Sequence, residues 1–212
     1  MNYIGIRNEV QGWINRPDLA SQIPTFVQMA QRRIEREINH SCMEEQSPTT
    51  TLTSDSIDLP TNFKATKSLR VTSGDVMYNL RLVDIDALKA KYSVSQTGEP
   101  IECYAVSSVD NAVIIRPYPD DITGTYAVEF VFYGFTDDLQ NDSDTNWWTL
   151  NAWDVLLYGA LIEASAYLIN DARISTWQAK YLEALRNVLN ADIEKFITSR
   201  GASTSATVTE II

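Results

Sequence analysis

The strongest constraint on the fold is the segment from Val155 to Ile169, which carries apolar side chains on nearly every helical face and one charge, Glu163. It is shorter than the run of about 20 apolar residues that spans a bilayer. A helix that is apolar all round is normally buried by other elements. Four small residues within it predict close approach of a second helix: Gly159, Ala160, Ala164 and Ser165. We therefore expect the central helix of a bundle and not a membrane anchor.

Helical periodicity also marks both ends of the chain. Apolar residues recur at helical spacing over Tyr3–Ile14, over Ile23–Ile38 and over Ile174–Phe196. These segments supply the partners that the central helix requires. On the second of them, polar residues that include Gln31 and Glu35 are assigned to the faces away from the apolar stripe.

Between residues 40 and 135 the pattern changes to that of short strands, rich in Thr, Val, Ile and Tyr and interrupted by Gly, Pro and Asp. The strands at Leu69–Val71 and Val76–Leu82 flank Ser73-Gly74-Asp75 and predict a hairpin. The segment Tyr126–Tyr133 is apolar on both faces, which predicts a strand that is central in the sheet or covered on both faces. Asp84 is placed to cap a short helix between strands.

The predicted fold class is α+β: a helical bundle built from N- and C-terminal helices, with an inserted antiparallel β module and a flexible C-terminal tail. The predicted domains are a helical bundle domain over residues 1–39 and 146–200, a β module over residues 40–145, and a docking tail over residues 201–212.

Charge limits the possible partners. The 28 Asp and Glu residues outnumber the 17 Lys and Arg residues, giving a formal net charge of −11. General nucleic-acid binding requires a basic excess that neutralises phosphates, and docking on anionic lipid requires the same sign of charge. Neither DNA binding nor membrane attachment is therefore predicted.

The chain contains two cysteines, Cys42 and Cys103, and one histidine, His40. Two cysteines in 212 residues are not a disulfide framework, so both are interpreted as free thiols in a reducing cytosol, with their pairing left open. One histidine leaves little for a zinc site. The N-terminus lacks the basic start and apolar run of a signal peptide.

Motifs for catalysis or cofactor binding are missing from the sequence. A Gly-rich phosphate loop is not found. A Ser-His-Asp triad would have to use His40, the single histidine, and the sequence contains no nucleophile-elbow motif for its serine. His40 is interpreted as satisfying carbonyls past a helix end or facing solvent. We predict no catalytic, metal-binding or cofactor-binding residues, no cofactor and no enzyme activity.

Four aspartates, Asp137, Asp138, Asp142 and Asp144, invite comparison with a calcium loop. The first ligand spacings fit, but Trp147 stands where the loop requires glycine and Trp153 where it requires glutamate. A solvated acidic linker is the preferred interpretation.

Three tryptophans, Trp147, Trp148 and Trp153, lie near the start of the apolar segment. A functional interpretation is that they anchor an interface or stack on a sugar. A structural interpretation is that they fill the space between the β module and the bundle as a plug. The plug is favoured.

The last residues, Ala206–Ile212, combine strong β propensity with a preceding polar spacer. Such a segment can add a strand to a partner's sheet edge or place its isoleucines in a pocket. A frayed terminus is the equally weighted alternative.

Several motifs together carry a family resemblance: Trp13–Leu19 followed by Gln22–Phe26, Leu59–Phe63, Gly98–Pro100 with Tyr104, Arg116–Pro119, Asn146-Trp147 and Leu157–Ala164. Their order resembles the head-to-tail adaptor proteins of short-tailed bacteriophages, the tail tubular protein A-like group. The resemblance extends from about Tyr3 to Ile197.

The resemblance implies a structural virion protein of the tail neck, assembled in the host cytoplasm as a dodecameric ring. Such a ring joins the portal protein to the tail nozzle protein and extends the channel through which DNA passes without specific binding. No catalytic residues are implied. We map portal docking onto four residues of the tail: Thr207, Val208, Ile211 and Ile212.

Two other classes stay open at this point. One is a glycan hydrolase that uses acidic residues of the β module, since the separation of two catalytic carboxylates is spatial. The other is a soluble binding domain that works as a monomer.

Overall fold

The computed structural model describes residues 1–92, 97–98, 100–118, 126–168 and 173–199. The chain divides into two compact units. The first, here called the helical unit, comprises Met1–Cys42 and Thr136–Ile212, and the second, the β unit, comprises Met43–Phe135. No helix in the described part of the chain has the length and apolar character needed to cross a membrane.

The described residues form six α-helices. They are α1 (Tyr3–Ile14), α2 (Ile23–Glu37), α3 (Ile85–Lys91), α4 (Trp147–Asn151), α5 (Trp153–Leu168) and α6 (Ile174–Ser199). All except α3 belong to the helical unit.

The centre of the helical unit is α5, which packs against α1, α2 and α6. Its residues Val155, Leu156 and Leu161 are fully buried. A Cβ atom placed on Gly159 would lie 3.0 Å from the Cβ of Ala30 on α2. The predictions of a buried central helix and of close approach at its small residues are confirmed.

The first helix begins and ends at asparagine residues. The side chain of Asn2 accepts a hydrogen bond from the Gly5 N–H, and Asn15 ends the helix in a left-handed conformation with φ of 52°. The backbone N–H of Tyr3 donates to the carbonyl of Asp144 at 2.9 Å. This contact ties α1 to the segment that precedes α4.

The described residues of the β unit form eight strands: β1 (Glu44–Gln46), β2 (Thr50–Thr51), β3 (Ser56–Asp58), β4 (Phe63–Ser73), β5 (Val76–Leu82), β6 (Cys103–Ser107), β7 (Ala112–Arg116) and β8 (Tyr126–Gly134). Their order in the sheet is β1-β8-β4-β5-β6-β7-β3, with β2 also paired to β8. The predicted hairpin is β4–β5, whose turn contains Gly74 at φ of 56°. The predicted central strand is β8, which pairs with β1, β2 and β4.

Apolar side chains from one face of the sheet form the main core of the β unit. The core includes Leu52, Leu69, Val71, Leu80, Tyr104, Val113, Ile115, Val128, Phe130 and Phe132. A smaller cluster packs Leu88 and Tyr92 of the α3 region against Cys103 and Ala105 of β6.

The predicted fold class, a helical bundle with an inserted antiparallel β module, is wrong. The strands form a curled mixed half-barrel, and β5 runs parallel to β6 through the pairs Arg81–Cys103 and Leu82–Tyr104. Parallel neighbours require a crossover connection, and α3 lies within that connection. Alternation along a segment predicts a strand but not its direction, so it carries no sign of this pairing. The tail over residues 201–212 lies outside the described residues.

Candidate functional site

The segment that leads into α4 is fixed by a reciprocal cap. The Asn146 side chain accepts from the Thr149 N–H at 3.0 Å, and the Thr149 hydroxyl oxygen accepts from the Asn146 N–H at 3.0 Å. This cap places Trp147 and Trp148 in the first turn of α4.

The three predicted tryptophan anchors occupy different environments. Trp148 is fully buried and its indole N–H donates to Glu35 Oε1 at 3.2 Å. Trp147 is half-buried, and its ring lies 5.1 Å from that of Trp148 and 4.4 Å from that of His40. Trp153, at the start of α5, is 39 % exposed. The structure therefore brings Trp147 and Trp148 into contact inside the helical unit, while Trp153 contributes to its surface.

The described structure also contains a polar cluster that the sequence did not predict. Glu35 and Gln31 are buried, so their assignment to faces away from the core is wrong. Glu35 Oε1 accepts from Trp148, from the Gln31 amide at 3.3 Å, and from both the N–H and the hydroxyl of Thr136. Its Oε2 accepts from Arg32 at 2.7 Å. Thr136 and Trp148 lie more than 100 positions from Glu35 in sequence, so helical periodicity carried no sign of them.

His40 is buried beside a second polar group. Its Nδ1 accepts from the Cys42 N–H at 3.0 Å, and its Nε2 lies 3.6 Å from Asp192 Oδ1 on α6. The hydroxyl of Ser41 donates to Asp192. A nucleophilic serine must give its single hydroxyl proton to imidazole, whereas this proton is held by a carboxylate. The arrangement joins the end of α2 to α6 and does not resemble a catalytic triad.

Both cysteines are free thiols. Burial raises the pKa of Cys42 to about 12, with the negative charges of Asp192 and Glu35 adding to the shift. A thiol with so high a pKa is a poor nucleophile and a poor metal ligand.

The acidic segment before α4 is used in local structure. Asp138 pairs with Arg32 and Asp142 with Arg7, both at 2.7 Å. Asp144 accepts from the backbone N–H groups of residues 140 and 141, and these hydrogen bonds lower its pKa. Within the described ranges, no three His, Cys, Asp or Glu side chains are grouped in a way that could hold a metal ion.

Acidic side chains of the β unit are also held by neighbours. The observed pairs are Glu44–Lys67, Glu45–Asn62, Asp55–Arg116, Glu102–Lys91 and Glu129–Arg70. Hydrogen bonds from Lys91 and Tyr92 lower the pKa of Glu102, whereas a general acid in glycoside hydrolysis needs a raised pKa. These contacts favour a structural role for the carboxylates.

The helical unit exposes large apolar side chains on several helices. They include Trp13 on α1, Leu150 on α4, Trp153 and Tyr167 on α5, and Leu182, Ile193 and Phe196 on α6. At 3.6 residues per turn, the three on α6 fall within about 60° of one another around the helix. Contiguous exposed apolar patches mark protein–protein contact surfaces, whereas single exposed apolar residues are normal on any protein. Of the apolar residues that recur at helical spacing over Ile174–Phe196, Trp177 and Tyr181 are buried whereas Phe196 is exposed.

The tail residues Thr207, Val208, Ile211 and Ile212, predicted to dock on the portal, lie outside the described residues. Their role stays a prediction.

Comparison with known families gives one match across nearly the whole chain. The sequence model of the SU10 adaptor protein family matches residues 1–207. No curated protein matches the sequence significantly. The resemblance to phage head-to-tail adaptor proteins, predicted from the sequence motifs, is confirmed at the level of the family. Such adaptors are structural components of phage particles, which implies a non-enzymatic role. The chain belongs to the SU10 adaptor protein family.

Proposed function

We propose that this protein is the head-to-tail adaptor of a bacteriophage, forming a dodecameric ring that joins the portal protein to the tail nozzle protein. The family match over residues 1–207 carries the proposal. The ring extends the channel through which DNA leaves the capsid.

The exposed side chains of the helical unit support a role in assembly with other subunits. A closed ring of identical subunits uses heterologous interfaces, which require two different patches on each subunit. The helical unit supplies exposed aromatic and aliphatic side chains. One of them is the indole of Trp153, at the start of α5. Tryptophan is enriched among the residues that dominate protein–protein binding energy. We assign Trp153 to a contact with a neighbouring subunit or with the portal.

Molar mass measured alone and with purified portal tests the proposal. We expect a monomer in isolation and a ring of twelve copies on the portal, counted by electron microscopy of the complex. Failure to bind portal, or release of sugar from a host glycan by the isolated chain, would contradict the adaptor assignment.

A substitution pair at Trp153 tests the assigned contact. Trp153→Ala should weaken assembly on the portal by roughly thirtyfold, the effect of losing about 2 kcal/mol from a strong interface residue. Trp153→Phe keeps an aromatic anchor and should assemble nearly as the wild type does. Trp153→Phe should retain the wild-type melting temperature, whereas Trp153→Ala should lower it, because more than half of the residue is buried. Assembly is therefore compared well below the melting temperature of both variants.

A further inference from the structure

Within the described residues, the hairpin strand β5 is paired along only part of the edge that faces β6, and the unpaired part is here called the open edge. Arg81 donates its N–H to the carbonyl of Glu102, on the β6 side, at 3.0 Å. Because backbone groups alternate in direction along a strand, the N–H and C=O of Met77 and Asn79 face the same side as those of Arg81. Strand β6 pairs with Arg81 and Leu82. Among the described residues, Met77 and Asn79 have no strand partner on that side.

Among the described residues, the open edge has exposed apolar side chains and no charged residue or proline to protect it. Val76 is 51 % exposed and Met77 is 55 % exposed. The stretch Val76–Leu80 has no charged residue and no proline. Natural edge strands usually carry lysine, proline or a bulge that prevents pairing with another chain. An edge without these features is a template for addition of a strand.

The same sequence contains a segment suited to this edge. Thirteen residues follow Ser199, and the last seven, Ala206–Ile212, include five β-branched residues. Residues with branched Cβ atoms favour strands. Seven residues extend about 23 Å as a strand, which is enough to cover the five residues of the open edge.

We propose that residues 206–212 of one subunit add as a strand to the open edge of β5, residues 76–80, in a second copy of this chain. The inference rests on the proposed ring. Each subunit then offers one tail and one edge, a heterologous contact in which a closed ring leaves no edge unpaired. The open edge is assigned to the tail of a neighbouring subunit. Docking of the tail on the portal instead would contradict this assignment.

Backbone amide exchange provides the direct test. A peptide of residues 203–212 is added to the chain truncated after Gly201, and exchange is followed residue by residue by NMR. We expect the amides of Met77 and Asn79 to exchange at least about tenfold more slowly with the peptide, as for a newly formed hydrogen bond. A scrambled peptide should have no effect. Unchanged exchange at both residues, or protection confined to the helical unit, would overturn the proposal.

Two substitutions separate backbone pairing from side-chain contact. Asn79→Pro removes the outward N–H, which β4 does not use, and should weaken peptide binding about tenfold. Asn79→Ala keeps the N–H and should bind normally. If the proline variant fails to fold, the Thr209→Pro peptide tests the same hydrogen bonding on the other partner. Equal binding of the proline and alanine variants contradicts strand addition.

A mixing experiment establishes that the contact joins two copies. Full-length Asn79→Pro protein keeps the tail but lacks the outward N–H of β5. The chain truncated after Gly201 keeps the intact open edge but lacks the tail. Mixed at roughly 0.5 mM, well above the concentration at which isolated wild-type protein is expected to be monomeric, the two chains should give the mass of a one-to-one complex, whereas each chain alone should stay monomeric. A mixture that stays monomeric overturns the proposal.

The outcome is separable from that of the proposed function. If the peptide leaves β5 unprotected while full-length protein still forms rings on the portal, the strand contact is wrong and the adaptor function stands. If the peptide protects β5 while the protein does not bind the portal, the adaptor function is wrong and the contact between copies stands.

Discussion

Glu35 connects three parts of the helical unit through one carboxylate. It lies on α2, Thr136 belongs to the segment that re-enters the helical unit, and Trp148 belongs to α4. The hydrogen bonds to Glu35 hold the segment that follows the β unit against α2, the helix that precedes the β unit. A buried carboxylate is retained only when donors compensate for its lost hydration, and this group receives them from four residues.

Replacing Glu35 should destabilise the helical unit strongly. Glu35→Ala leaves the Trp148 and Thr136 donors buried without their acceptor, at an expected cost of about 3 kcal/mol in the free energy of unfolding. Urea unfolding followed by tryptophan fluorescence measures the change. Glu9→Ala, at an exposed position on α1, is the matched control and should change the unfolding free energy by less than about 0.5 kcal/mol. Equal effects of the two substitutions would contradict the role given to Glu35.

Cys42 should be chemically inert in the folded protein. With its pKa raised to about 12 by burial and by the charges of Asp192 and Glu35, its thiolate fraction at pH 8 is about a thousandfold below that of a free cysteine. Alkylation at pH 8, read by mass spectrometry of the Cys42 peptide, should therefore be slow until urea unfolds the chain. Fast alkylation of folded protein would contradict this environment.

The raised pKa of Cys42 also determines the direction in which stability changes with pH. Since the folded state favours the protonated thiol, its contribution to stability is complete below the unfolded pKa of about 8.5. The contribution is lost as the pH rises from there towards about 12.

At the scale of elements, α5 depends on close contact with its neighbours. A Cβ on Gly159 would meet Ala30 at 3.0 Å and the Tyr181 ring at 3.6 Å. Gly159→Val should therefore lower the unfolding free energy by about 1–3 kcal/mol through overpacking. A Cβ added to Gly12 on α1 would meet no atom within 4 Å, so Gly12→Ala should raise stability by about 0.5–1 kcal/mol. Thermal unfolding of both variants measures the opposite signs, and a stabilising Gly159→Val would contradict the packing.

Local patterns predicted those elements whose character is set within a few residues. The central helix α5 follows from its apolar run, and the β4–β5 hairpin follows from strands flanking Gly74. The parallel pairing of β5 with β6 could not be predicted in this way, because it depends on where α3 carries the chain. The burial of Gln31 and Glu35 depends likewise on Thr136 and Trp148, which only the tertiary fold brings close.

The candidate surfaces show the same limit. The three tryptophans are close in sequence and share one prediction as anchors, yet packing buries Trp148 and leaves Trp153 exposed. The open edge of β5 has no separate signal in the sequence, since Val76–Leu80 has the pattern of an ordinary strand until its partners are known. The composition of the tail, by contrast, predicts a strand-forming segment without any structural information, with a frayed terminus as the equally weighted alternative.

At the scale of the whole molecule, the chain offers two kinds of contact. Both units expose apolar side chains, on α1, α4, α5 and α6 of the helical unit and at Val76, Met77, Leu82 and Val109 of the β unit. In the described part of the β unit, β5 in addition has no strand partner at Met77 and Asn79 on one side. Side-chain contacts depend on shape and desolvation, while strand addition depends on backbone geometry and accepts varied sequences. Under the proposed function, both kinds of contact suit a protein that binds other virion proteins and neighbouring copies of itself.

In the ring proposed above, the net charge of −11 has a specific consequence for the DNA channel. A channel lined by basic groups would hold DNA through its phosphates, whereas an acidic lining repels them and lets the duplex slide. We predict that acidic side chains dominate the channel-facing surface of the assembled ring. Electron microscopy of the ring on the portal will identify those residues, and a lining of lysine and arginine would contradict the prediction.

Charge reversal then tests the function of the lining. Replacing the channel-facing acidic residues with lysine should slow DNA release from assembled particles, with the slowing greatest at low ionic strength because salt screens the attraction. The same number of substitutions on the outer surface of the ring is the matched control and should leave release unchanged. Time-resolved DNA release at two salt concentrations measures both, and a rate that is insensitive to lining charge would show that the acidic surface serves solubility alone.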